Sequence, residues 1–198
     1  MAVAAVEAHR WTREEYERMA AKGFFAPDTR VELVDGIVYD MTPQGSFHSA
    51  GVRACQQNLE RIFSGTHDVR AQMPLALGDC SEPEPDIAVV QGSYEDYAFA
   101  QPTTAVLVVE VADKSLAHDR KRKIPDYAQA GIPEAWLMNL KAAVLEVYRD
   151  PAEGVYQTRL KIRIGETVSP LAKPGAEIAV AELFFWKRAG GASQRLER

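Results

Sequence analysis

The 198-residue sequence predicts an α/β or α+β fold, a central mixed β-sheet with helices on its faces, followed by further antiparallel strands. Three observations predict it. The run TTAVLVVEVA, residues 103–112, is as continuously apolar as a strand buried on both faces. Val52, Cys55, Leu59, Ile62 and Phe63 recur at helical spacing. EAWLMNL, AAVLEVYR and VYQTRLKIRIG are strand-like segments whose short links suit antiparallel neighbours.

The elements follow in order. Thr12 and Glu15 have the spacing of a capping box, Tyr16, Met19 and Ala20 give the short helix behind them an apolar side, and Gly23 ends it. RVELV and IVYDM flank Asp35-Gly36, a pair that tolerates positive φ in a type I′ turn, so residues 30–41 read as a hairpin carrying Glu32 in its first strand. The helix of residues 48–63 begins at His48, on its inward stripe. Val69, Ala71, Met73, Leu75 and Leu77 alternate as one face of a strand, with Gln72 on the other face.

After the proline-broken CSEPEP, Asp86 opens the short strand DIAVV, and a loop leads to the strand that holds Glu110. Residues 115–130 suggest a helix with Ser115 as cap, kinked or restarted at Pro125 and closed by Gly131. Trp136 reads as a core aromatic, AELFFW as a short closing helix, and KRAGGASQRLER as a frayed tail. We expect one domain over residues 1–188 and a flexible tail over 189–198.

Composition is that of an ordinary soluble globule, with no stretch approaching the roughly 20 apolar residues of a membrane helix and no signal-peptide pattern at the start, so the expected location is cytoplasmic. Cys55 and Cys80 show no CxxC spacing and suggest neither a zinc cluster nor a disulfide framework. A net charge of −5 argues against a protein whose whole surface grips nucleic acid, so any such contact must be local.

The chemistry centres on Glu110, a carboxylate inside the most apolar run. An unpaired charge withdrawn from water costs several kcal/mol or more, so this Glu must be protonated, hydrogen-bonded or neutralised by a cation. If the Asp86 and Glu110 strands form an antiparallel pair, the start of the first lies opposite the end of the second and the two carboxylates meet. A divalent cation with oxygen preference relieves their repulsion, which points to Mg²⁺ or Mn²⁺. Such an ion generates hydroxide from water and withdraws charge from a phosphoryl oxygen, and a nearby ammonium would stabilise the transition state or orient the water.

The ordered pieces RVELVDGIV, the His of GSFH, SEPEPDIAVV, LVVEV and DRKRKIPDYAQAGIPEAWL resemble the Uma-two family of endonucleases, within the PD-(D/E)XK restriction-endonuclease-like nucleases, over about residues 11–150. The resemblance implies the restriction-endonuclease-like arrangement, cleavage of nucleic acid, DNA above all, and Asp86 and Glu110 as metal ligands. Where the motif has lysine two places after the acid, this chain has Ala112, and the family pattern supplies the lysine from the next helix as Lys123. Glu32, His48 and Gln72 fall at supporting positions of the same pattern.

Each residue also has a plain structural reading. Glu110 could pair with a buried base, Glu32 could answer a cross-strand partner, His48 could be a core histidine, and Arg120, Lys121, Arg122 and Lys123 could be a solvated helix face. Lys114 shares a strand face with Glu110 and Ala112 and is the rival lysine, while Asp119 stands four residues before Lys123 and could orient it. The alternative function is a nuclease fold that binds DNA or protein without cutting. A homodimer is compatible with the later strands, which offer an edge for pairing.

Overall fold

The computed structural model describes residues 8–187, so the expected frayed tail beyond Lys187, which itself ends a 3₁₀ turn, the 189–198 boundary and most of the opening MAVAAVEAHR lie outside the described residues. The chain runs α1 (Arg13–Ala21), β1 (Val31–Val34), β2 (Ile37–Asp40), α2 (Ser46–Phe63), β3 (His67–Ala71), β4 (Ile87–Gln91), β5 (Leu107–Ala112), α3 (Leu116–His118), a π-turn (Asp119–Lys123), α4 (Ile124–Gln129), β6 (Glu134–Asn139), β7 (Val144–Ala152), β8 (Val155–Arg163), β9 (Thr167–Val168), β10 (Ile178–Ala179) and α5 (Val180–Leu183). The predicted capping box closes around α1, with Thr12 and Glu15 each serving the other's backbone. Asp35 and Gly36 both adopt positive φ, 48° and 71°, as the type I′ turn of the β1–β2 hairpin requires.

Six strands form the central sheet in the order β3-β4-β5-β6-β7-β8. Only β5 and β6 are parallel, because the helical crossover of residues 116–129 returns the chain to the same end of the sheet. Every residue of β5 is buried, as its unbroken apolar pattern demands. The period of two splits the strands between two cores. Val109, Val111, Trp136, Met138, Leu145 and Val147 meet α2 and α5 on one face, while Val108, Ala112, Ala135, Leu137 and Tyr148 meet α4 on the other. Gly51 lets α2 approach the sheet: a Cβ there would stand 3.1 Å from Val111 and 3.2 Å from Leu140.

The expected strand through Leu77 is shorter than its alternation suggested. It ends at Ala71 because Gln72 turns to positive φ, 55°, and Pro74 follows. Val69 therefore packs against the α2 core, Leu75 and Leu77 against the α4 core, and Met73 is left 47% exposed between them. Ser115 does stand at the N-cap of α3, where its carbonyl accepts the Asp119 N–H at 3.0 Å, but its hydroxyl makes no capping bond to the backbone and donates instead to the Asp119 carboxylate.

Pro125 restarts the helix as expected, through a π-turn. The Ile124 N–H bonds back to the Asp119 carbonyl, five residues earlier, and α4 begins with proline in its first turn. The extra residue per turn brings Lys123 inside, while Lys121 and Arg122 stay exposed. Truncating fully buried Trp136 to Ala should cost about 3–5 kcal/mol, and truncating Met73 less than about 0.5 kcal/mol, in urea unfolding.

Candidate active site

The register carries the two acids together. Ala71 pairs with Ile87 and Ile87 with Val109, so one step further on Gln72, Asp86 and Glu110 stand in a row across three strands. The Gln72 N–H donates to the Asp86 carbonyl at 3.2 Å, which extends the β3–β4 pairing to that row. Asp86 Oδ2 accepts from the backbone N–H of Val111, the residue after Glu110, at 2.8 Å.

Two connected nodes result. In the first, His48 Nε2 lies 3.1 Å from Asp86 Oδ2 and the Gln72 amide donates to Asp86 Oδ1 at 3.3 Å. His48 reaches this point because α2 starts there, one turn before Val52 enters the core. Burial works against its imidazolium, but the Asp86 carboxylate outweighs burial and raises its pKa above the usual value.

In the second node, Lys123 Nζ lies 3.1 Å from Glu110 Oε1 and 3.1 Å from Glu32 Oε2, and donates to the Glu84 carbonyl at 3.3 Å. The Tyr127 hydroxyl also donates to Glu110 Oε1. Glu32 does not answer its cross-strand neighbour Tyr39; its carboxylate serves Lys123 and the Glu84 N–H, at 3.0 Å. Glu32, Glu110 and Lys123 are each 3–5% exposed.

Burial sets the electrostatics. It raises the pKa of Glu110, with Asp86, Asp119 and Glu32 adding to the rise and the Lys123 ammonium 3.1 Å away opposing it in favour of the carboxylate. It would strip Lys123 of its proton, but Glu110 and Glu32 hold that pKa well above its ordinary value, so the ammonium persists. Tyr127, buried beside Glu110, remains a neutral phenol.

The structure thus brings Asp86, Glu110, Lys123, Glu32, His48 and Gln72 to one end of β4 and β5. Lys114 is not among them: β5 ends at Ala112 and Lys114 is exposed beyond it. Asp119 lies near Lys123 but does not orient it by an ion pair; its carboxylate accepts from Ser115 at 2.6 Å. Sequence reasoning missed Tyr127 and the Glu84 carbonyl. The spacing of Lys123 and Tyr127, four residues apart on a helix, could have found the first, whereas no side-chain pattern announces a carbonyl. Among the described residues, no group of three or more His, Cys, Asp and Glu side chains forms a ready-made cation cage, since Lys123 stands where the acids would converge.

The family model Uma2, described as "Putative restriction endonuclease", matches residues 13–181. The chain belongs to the Uma2 family. No curated protein matches it. Among solved structures, one described as a "putative nuclease belonging to DUF820" from Anabaena variabilis matches with a TM-score of 0.71 and 18% identity, over 88% of this chain and 98% of the other. That likeness is one of fold. The type IIG restriction endonuclease BpuSI aligns with 73% of this chain and 17% of its own at 17% identity, with a TM-score of 0.43 that carries no argument. The Uma2 chain therefore has the restriction-endonuclease-like fold, and its family supports a nuclease.

Burial pushes Asp119 up to about 6 despite its bond from Ser115. A carboxyl whose folded pKa is raised contributes stability below its unfolded pKa, near 4, and loses it as pH rises through about 6. Asp119→Asn, which can still accept from Ser115, should melt like the parent at pH 4 and higher at pH 8, by on the order of 2 kcal/mol, in scanning calorimetry.

Proposed function

We propose that this Uma2 chain works in the cytoplasm as a single-domain endonuclease that hydrolyses phosphodiester bonds of nucleic acid, DNA foremost, with Mg²⁺ or Mn²⁺. The observation that carries the reading is Lys123, an ammonium buried against Glu110 and Glu32 beside the row that ends in Asp86. Unlike the buried Glu134 and Glu146, each paired with arginine, Glu110 and Glu32 share a single lysine and leave Glu110 Oε2 without a hydrogen bond among the described residues.

The donor set fits a small, hard cation. Asp86 Oδ1 has only a long amide contact at 3.3 Å, and Glu110 Oε2 has no hydrogen bond among the described residues. Both are carboxylate oxygens, the ligands Mg²⁺ and Mn²⁺ take together with water and phosphate. In this reading Asp86 and Glu110 hold the ion, which supplies Lewis acidity: it lowers the pKa of water and withdraws charge from a phosphoryl oxygen.

The remaining groups act through positions the fold imposes. Lys123, kept protonated by its acidic neighbours, donates rather than accepts, so it orients water or stabilises charge on the phosphoryl oxygens. Glu32 and the Glu84 carbonyl aim the ammonium, and Tyr127 fixes the rotamer of Glu110. His48 and Gln72 hold Asp86 from two sides and can reach a water or a phosphate. A homodimer, which would address both strands of a duplex, belongs to the same proposal.

Asp86→Asn and Glu110→Gln keep shape and remove charge. Each should lower metal-dependent plasmid nicking by about a hundredfold or more, and undiminished cleavage by both would overturn the assignment. One observation favours a second reading, a non-cutting nuclease fold that binds DNA or protein: Lys123 already neutralises the acids without an ion. Calorimetric titration with Mn²⁺ separates the two. The endonuclease should bind Mn²⁺ with loss of affinity in Asp86→Asn, and a binding module should take up none.

A further inference from the structure

The net charge is −5, yet four cations, Arg120, Arg159, Lys161 and Arg163, gather on and beside β8, with Glu166 bonded to the Arg163 backbone N–H at the far end. The row that passes through Glu110 continues in register to Leu137, Glu146 and Lys161, from the candidate centre to edge strand β8. At strand spacings of about 4.8 Å, three steps place Lys161 about 14 Å from Glu110.

Midway along this path, the buried Glu146 carboxylate takes two guanidiniums. Arg120 donates to it through Nε and Nη2, and Arg159 donates through Nη2 at 2.7 Å while lying over the Tyr148 ring. One arginine would neutralise that carboxylate, so the second leaves surplus positive charge, and both are fixed in place. Arg120 also stands against the Tyr148 hydroxyl, the Nε and Nη1 of Arg159 have no partner among the described residues, and the two side chains are 34% and 45% exposed.

Lys161 and Arg163 follow Arg159 at intervals of two and share its side of β8. Both are exposed, and neither side chain has an ion pair among the described residues. Arg120 itself sits on the π-turn that delivers Lys123 inward, so the basic surface is continuous with the candidate centre.

We propose that Arg120, Arg159, Lys161 and Arg163 form a phosphate-binding track that holds the nucleic-acid backbone from the candidate centre across β7 to edge strand β8. Guanidinium forks fixed by a buried carboxylate match phosphate oxygens and lose little entropy on binding. The span of about 14 Å corresponds to roughly four base-pair steps of rise along a duplex axis, and the contacts are to phosphates, so the grip is on the backbone and independent of base sequence. The track rests on the nuclease reading for what it delivers to Asp86 and Glu110, but its binding is measurable without cleavage.

The test is an anisotropy titration of labelled duplex DNA with the full chain, in EDTA, across a salt series. Lys161→Ala combined with Arg163→Ala should weaken binding about tenfold at 0.1 M salt and reduce the slope of log K against log salt by about 2, with melting temperature and Mn²⁺ binding unchanged. A slope equal to the parent's overturns the track. So does an equal loss in Arg53→Ala with Lys173→Ala, which removes cations on the α2 side, where Lys173 lies 5.9 Å from the Phe63 ring. A parent that binds no duplex, as a partner of acidic proteins would, also overturns it. A parent that binds with the expected slope in EDTA but cuts nothing with Mg²⁺ or Mn²⁺ sinks the nuclease reading alone. One that cuts, while the double variant binds as before, sinks the track alone.

Discussion

The contact between the Lys123 ammonium and the Glu110 carboxylate is the constraint around which the rest is arranged. Each charge alone would be untenable in the interior, and together they are tenable because Glu32 and the Glu84 carbonyl also take the ammonium and Tyr127 donates to Glu110 Oε1, with Oε2 left over. That requirement explains the hairpin, which exists outside the main sheet and brings Glu32 over the end of β5, and the π-turn, which turns Lys123 inward from a run of four consecutive basic residues. The hairpin also buries Leu33 and Val34, the two residues that follow Glu32.

Burial of an acid does not by itself mark a site in this chain. Glu134 and Glu146 are as deeply buried as Glu110, at 0% and 1% exposure. Glu134 takes Arg149, the Trp136 indole and the Leu171 N–H, and Glu146 takes Arg120, Arg159 and the Tyr148 hydroxyl. Against the cost of burial, these donors hold Glu146 down to about 2, whereas Glu110, among other acids and a single lysine, is driven the opposite way. The distinction lies in the sign of the neighbours: arginines saturate one carboxylate, and shared acids leave the other with an oxygen to spare.

The two faces of the sheet divide the labour. On one, α2 and α5 close an apolar core around Trp136 and Phe63. On the other, α4 covers only part of the strands, and polar side chains fill the remainder from Gln72 through Glu110 to Lys161. The chain can afford a low-dielectric pocket for charges there because the opposite core carries the apolar burial.

Local pattern alone determined much of this protein. The capping box, the Asp35-Gly36 turn, the apolar stripe of α2, the buried β5 and the proline restart were legible because each depends on residues within a few positions of one another, and the ordered motifs carried the family. Asp86 and Glu110 were legible as chemical types at recognisable places, and Lys123 entered as a candidate through the family resemblance, with Lys114 as its rival. Tertiary structure decided the rest. The alternation past Ala71 continued in sequence while the backbone crossed from one core to the other at Gln72, a change that periodicity cannot register. The choice of Lys123 over Lys114 for the partner of Glu110 depended on a backbone bond five residues long, and the choice of Tyr127 and the Glu84 carbonyl depended on segments distant in sequence meeting in space. Such meetings are set by strand register and helix placement, and those follow from the packing of the whole domain.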